Sequence, residues 1–108
     1  MTQPDPRATG RRAVLFSAML LAAAAPAAAN QALATKHGCL GCHAATTRLV
    51  GPSYAEVAAK YGKGATAELA QSIRAGGAGK WGQMAMPPQQ LSEADAKRLA
   101  AWILAGSK

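Results

Sequence analysis

Cys39, Cys42 and His43 stand in the pentapeptide Cys39-Leu40-Gly41-Cys42-His43, two thiols separated by two residues with an imidazole directly after the second. C-x-x-C-H is the spacing of covalent c-type haem attachment. Thiols on one tight turn reach two adjacent vinyl groups of a porphyrin, and the next residue offers its imidazole to the iron. Two other chemistries would use some of the same atoms. A redox-active dithiol would need only Cys39 and Cys42, but that reading calls for flanking strands in a βαβ pattern, and none is visible. Zinc would need His37 beside Cys39, Cys42 and His43, and four ligands inside one heptapeptide would be badly strained, because structural zinc draws on two separated clusters. The histidine directly after the second cysteine favours haem.

An iron held by His43 leaves its opposite position to His37, Met84 or Met86. His37 lies two residues before Cys39, on the side of the attachment turn, and is expected to be a surface histidine. The methionines come from Trp81-Gly82-Gln83-Met84-Ala85-Met86-Pro87-Pro88. A thioether is a soft ligand that favours Fe(II), so a His and Met pair raises the reduction potential relative to two imidazoles. Met86 precedes two prolines whose fixed φ stiffens the loop and restricts Met86 itself. An ordered loop loses less entropy on ligation, which favours Met86 over Met84, although either methionine could be an adaptable filler of space.

Short helices joined by Gly- and Pro-rich turns are expected to position these groups. A helix over 31–36 leads into the attachment turn, where Gly38 and Gly41 let the backbone approach the porphyrin. Ser53 and Glu56 form a capping box for a helix carrying Tyr54, Val57, Ala58 and Tyr61, stopped by Gly62. A further helix fills 65–75, with Leu69 and Ile73 on one face and Gly76-Gly77 at its end. The last opens on Ser92 with Asp95 three residues on, lines up Leu99, Trp102 and Ile103, and ends at Gly106; it should pack on the N-terminal helix and the haem edge. No alternating run long enough for a sheet occurs. The fold class is all-α.

The first 29 residues are set apart by composition. Arg7, Arg11 and Arg12 precede an apolar stretch from Ala13 to Ala25, and Pro26-Ala27-Ala28-Ala29 supplies the small residues of a cleavage site. This is the pattern of a secretory signal peptide, removed after Ala29, and it implies a periplasmic protein of residues 30–108. The run is shorter than the roughly 20 residues a membrane span needs, which disfavours a retained anchor. Arg11-Arg12 followed by Val14 and Leu15 leaves twin-arginine export as a second route. A domain this small needs a staple, which a covalent haem provides. Of the twelve Lys and Arg and five Asp and Glu, three and one fall in the leader. The remaining cations are scattered singly, without the basic stripe of a nucleic-acid binder; they suit a solvated surface or steering toward an acidic partner.

The chain resembles the short bacterial class I cytochromes c, small monohaem periplasmic electron carriers, some of which donate to nitrite reductase. The resemblance spans nearly all of residues 30–108. It rests on Lys36-His37-Gly38 with Cys39 to His43, on Val50-Gly51-Pro52-Ser53-Tyr54 followed by Glu56-Val57-Ala58-Ala59-Lys60, and on Lys80-Trp81-Gly82 with Met86-Pro87-Pro88. It implies a small cytochrome c fold of about four short helices around one haem c attached through Cys39 and Cys42, with His43 and Met86 as axial ligands of the iron. It implies further that the Pro52 carbonyl accepts a hydrogen bond from His43 and that Trp81 donates one to a haem propionate. Met84 stands where the family more often has a different apolar residue, placing a second thioether two residues from the first.

The function these readings imply is one-electron transfer between periplasmic redox proteins, a quinol-oxidising donor and a reductase or oxidase acceptor, by a non-enzymatic monomer. Residues near Leu40, Leu49, Val50 and 84–88 would form the apolar docking patch. The alternatives are a haem enzyme or gas sensor with a labile distal ligand, a thiol-disulfide oxidoreductase, and a bound cytochrome subunit of a respiratory complex that retains the leader.

Overall fold

The computed structural model describes residues 25–108, in which four α-helices, α1 (Ala25–Lys36), α2 (Tyr54–Tyr61), α3 (Thr66–Ala75) and α4 (Glu93–Leu104), are joined by turns and long loops. Two 3-10 turns, Cys39–Gly41 and Lys63–Ala65, complete the regular structure. The only pairing of extended backbone among these residues is an isolated antiparallel bridge between Gly77 and Met86. The expected leader lies outside the described residues apart from its last five, which are helical.

α1 begins six residues before the helix expected over 31–36. Its sequence is almost all alanine ahead of Gln31, and alanine is the strongest helix former; Pro26 sits in the first turn, where no amide partner is lost. The same alanines that look like a cleavage region therefore also continue a helix. No helix among the described residues is long and apolar enough to cross a membrane.

α2 starts on a complete capping box. The Glu56 amide donates to Ser53 Oγ at 3.1 Å, and the Ser53 amide donates to Glu56 Oε2 at 2.7 Å. Gly62, at φ +71°, closes the helix with its amide on the Ala58 carbonyl. The Ser53 amide, ahead of the Ser53 hydroxyl and the Arg48 guanidinium, holds the Glu56 carboxyl below its usual range. Folding thus favours the carboxylate, and this contribution is present above the ordinary Glu range and is lost as pH falls through the lowered folded-state value. Ser53→Ala should cost about 1 kcal/mol. Glu56→Gln should flatten the acid limb of a plot of Tm against pH relative to wild type, as calorimetry of the haem-loaded protein would show.

Ser92 caps α4 in one direction only, its hydroxyl accepting from the Asp95 amide at 3.0 Å. The helix ends at Leu104, with Ala105 as C-cap and Gly106 as the expected stop. Gly106 at φ +108° turns the chain back so that the Gly106 and Ser107 amides reach the Ile103 and Trp102 carbonyls. Leu99, Trp102 and Ile103 are buried, as their spacing predicts. Their main partner is α3, through Leu69, Ala70 and Ile73, with narrower packing on α2 and α1. The expected contact of α4 with α1 is present, made among the described side chains by Ala34 in the buried cluster and Leu33 at its edge.

Candidate haem site

Cys39, Cys42, His43, Pro52, Trp81 and Met86, six residues spread over 48 positions of sequence, line one cavity of about 340 Å³. Its floor is the apolar face of the helices: Val57 and Tyr61 of α2, Leu69 and Ile73 of α3, Leu99 and Ile103 of α4. These are the same side chains whose periodicity defines the helices, so the core and the cavity wall are one surface.

The attachment turn owes its shape to Gly38, which adopts the left-handed conformation at φ +72°. The chain then closes a 3-10 turn, with the Cys42 and His43 amides on the Cys39 carbonyl. Both thiols are unbridged. Burial pushes the Cys39 thiol above its usual range, the opposite of the lowered value that a redox-active C-x-x-C cysteine uses. His37 is half-buried rather than on the surface, does not line the cavity, and has its Nε2 buried without a partner. Among the described residues no three His, Cys, Asp or Glu side chains gather as a metal-holding group.

The imidazole of His43 is fixed on three sides. Its Nδ1 lies 2.7 Å from the Pro52 carbonyl oxygen. A carbonyl only accepts, so the proton sits on Nδ1 and the Nε2 lone pair is left for a metal. Gly51 packs directly against the ring; a Cβ there would lie 2.8 Å from Nδ1, so only glycine fits without moving the imidazole. Behind it, the Tyr54 ring stacks on His43 at 5.7 Å between centroids and 20° between planes, and meets Trp102 edge-on at 5.4 Å. Burial, and then the neighbouring Cys39, push the Tyr54 phenol up to about 12, so it stays neutral and serves as packing rather than as a base. The segment itself is stitched to the turn by the Gly51 amide on the Cys42 carbonyl at 2.8 Å and by the Tyr54 amide on the Ala44 carbonyl at 2.9 Å.

Met86 lines the same cavity. Its amide and carbonyl pair with Gly77 at 2.8 and 3.0 Å, and Pro87 and Pro88 follow at once. Met86 is half-buried, whereas Met84, on the same rim, is 70% exposed. Trp81 lies between them and α2, with the Lys60 ammonium over its ring at 4.5 Å from the centroid. Sequence reasoning did not single out Tyr54, Gly51 or Gly76 as site supports. The first two adjoin Pro52 and could have been noticed for that reason; Gly76 has no local signal beyond its role as a helix stop.

A neutral imidazole with a free Nε2, a thioether from another loop and two unbridged thiols on one turn, all lining one largely apolar cavity, fit a covalently attached iron porphyrin. The family model for cytochrome c matches residues 27–107, and the chain belongs to that family, whose cofactor is c-type haem. Among its relatives it is 50% identical over 78 residues to cytochrome c-552 of Hydrogenobacter thermophilus, covering 70% of this chain and 80% of the relative. It is 45% identical over 93 residues to cytochrome c-551 of Pseudomonas aeruginosa, covering 84% and 89%. The crystal structure of wild-type Nitrosomonas europaea cytochrome c552 superposes with a TM-score of 0.67 at 46% identity, covering 70% of this chain and 98% of that one.

Proposed function

We propose that the protein is a periplasmic one-electron carrier whose haem, joined to Cys39 and Cys42, is held between His43 and Met86, with residues 1–29 removed as an export leader. The observation that carries this reading is that one apolar cavity is lined by both an imidazole with its lone pair free and a methionine fixed by its own backbone bridge. When bound, the haem supplies the one-electron iron couple that no side chain of the chain provides.

The residues of the chain then have defined tasks. Pro52 keeps the His43 tautomer, and Gly51 and Tyr54 keep its ring plane. Gly77 and the two prolines hold Met86 in place in both oxidation states, which limits rearrangement during transfer. The aliphatic floor excludes water and lowers the local dielectric. Trp81 is placed beside the cofactor with an indole N–H suited to a carboxylate, as the family resemblance implies for a propionate.

Among the described residues Leu40, Leu49, Val50 and Met84 are the large apolar side chains left exposed, and Val50 and Met84 line the cavity. These apolar side chains, together with Arg48, Lys60 and Lys80 gathered around Trp81 of the cavity lining, suit brief docking of a redox partner with an acidic rim; donor and acceptor would use them in turn. The chain carries out no bond-making chemistry in this reading and acts as a monomer. Reductive titration of the purified protein should consume one electron per chain, with no turnover of hydrogen peroxide and an intact mass equal to residues 30–108 plus one haem. Steady peroxide turnover would favour the haem-enzyme alternative, and a retained leader in membrane fractions would favour the bound-subunit one.

A further inference from the structure

The loop that carries Met86 begins with Lys80 and Trp81, and their two consecutive carbonyls are each taken by a cation from a different part of the chain. Arg48, in the segment between the attachment turn and α2, donates from Nη2 and Nη1 to the Trp81 carbonyl at 3.3 and 3.5 Å. Lys60, near the end of α2, donates from Nζ to the Lys80 carbonyl at 3.1 Å while lying over the Trp81 ring. Arg48 is itself braced by Glu56, whose Oε1 lies 3.6 Å from its Nε and whose other oxygen accepts from the Ser53 amide, next to the Pro52 carbonyl that orients His43. A continuous run of polar contacts therefore joins the Pro52–Ser53 peptide, which orients His43, to the Trp81 carbonyl of the loop that carries Met86.

The geometry points to Arg48 and Lys60 as positioning residues that strap the Lys80–Trp81 segment shut and thereby keep Met86 from swinging away. The inference rests on the reading of Met86 as the second iron ligand. Gly79 and Gly82, at φ +91° and +123°, flank the strapped pair, and the Gly79 amide bonds the Gly82 carbonyl. The segment is thus a small turn between two glycine joints, tied by its two carbonyls and by the Lys80 side chain, which lies over the Tyr61 ring at 4.1 Å and 3.8 Å from Glu68 Oε1. Both donors are charged and the contacts are open to solvent, so the strap should weaken with salt, unlike the apolar contacts below it.

The test uses the ferrous and ferric haem-loaded protein with Arg48→Gln, Lys60→Gln and their double variant. Hydrogen exchange at the Gly77 and Met86 amides, which bond each other's carbonyls, should rise about three-fold in either single variant and about ten-fold in the double, the size expected of exposed charge-assisted contacts. Amides within α4 should be unchanged. Raising the salt concentration should accelerate exchange at the two loop amides in wild type and leave the double variant where it is. Arg48→Lys, which keeps a single donor, should recover part of the loss. Imidazole should bind ferric iron faster in the same order of variants.

Loop exchange that ignores both substitutions, or that rises equally in α4, would overturn the inference, as would changes confined to partner docking. Loop exchange that responds while imidazole binding does not would support the strap and count against Met86 as the ligand. Lys60→Gln leaves the Ser53, Glu56 and Arg48 contacts intact, so it serves as the second variant should Arg48→Gln fold poorly.

Discussion

Met86→Ala should lower the reduction potential by on the order of 0.1 V, a modest part of the roughly 0.8 V over which axial ligands move haem couples, and leave an iron that takes up carbon monoxide readily. The ferric band near the infrared edge that reports methionine sulfur should disappear. Met84→Ala should keep the band and shift the potential little. The contrast follows from placement. Met86 is tied by both its amide and its carbonyl to Gly77 and is followed by two prolines, whereas Met84 is 70% exposed at the rim and its backbone is not part of that bridge. A weak iron–sulfur bond survives only where little entropy is lost in making it, and the bridge has already removed that entropy. Persistence of the band in Met86→Ala with loss in Met84→Ala would reverse the assignment.

Gly76→Ala should destabilise the protein by about 2 kcal/mol or more and loosen Met86 as well. Gly76 closes α3 at φ +67° and ψ −169°, a region essentially confined to glycine. Space is also lacking: a Cβ would strike the Met86 carbonyl oxygen and lie 2.7 Å from the Pro88 nitrogen and 2.8 Å from the Pro87 carbonyl carbon. All three are backbone atoms, so relief requires moving the methionine loop itself. Calorimetry should show the fall in stability, and the methionine–iron band should weaken at temperatures where wild type keeps it. Gly64→Ala, where a Cβ meets nothing within 4 Å, is the control and should change the band little. A band unaffected in Gly76→Ala would mean that the approach of α3 to the loop does not hold Met86.

What was legible in the sequence was what acts over a few residues. The attachment motif is five residues long, and the Ser53 and Glu56 box closes over three, so both could be read without a fold. The apolar periodicity of α4 was equally clear, since Leu99, Trp102 and Ile103 share one face whatever they pack against. The partners of that face were legible only in part: α1 and the cavity edge were expected and are met, but the larger surface, Leu69 and Ile73 of α3, was not named. The start of α1 was obscured because alanine serves both an export leader and a helix. His37 was expected at the surface, and its buried Nε2 depends on packing that no local pattern reports.

The site was read by its chemical groups and missed by its supports. Haem attachment, the two ligand candidates, Pro52 and Trp81 all converge on one cavity. The stacking of Tyr54 under His43, the close approach of Gly76 to Met86 and the cations on the Lys80 and Trp81 carbonyls bring together residues that are far apart in sequence. Such contacts follow from the arrangement of α2, α3 and the loops, and the fold must be known before they can be named.

In the proposed reading His43 and Met86 hold a closed iron that exchanges one electron and binds nothing else. Voltammetry of the haem-loaded protein under nitrogen and then under carbon monoxide tests it most directly. A single reversible one-electron wave whose midpoint is the same under both gases is the predicted result. A wave that moves to higher potential under carbon monoxide would show an open or easily opened position on the reduced iron, and would contradict the account.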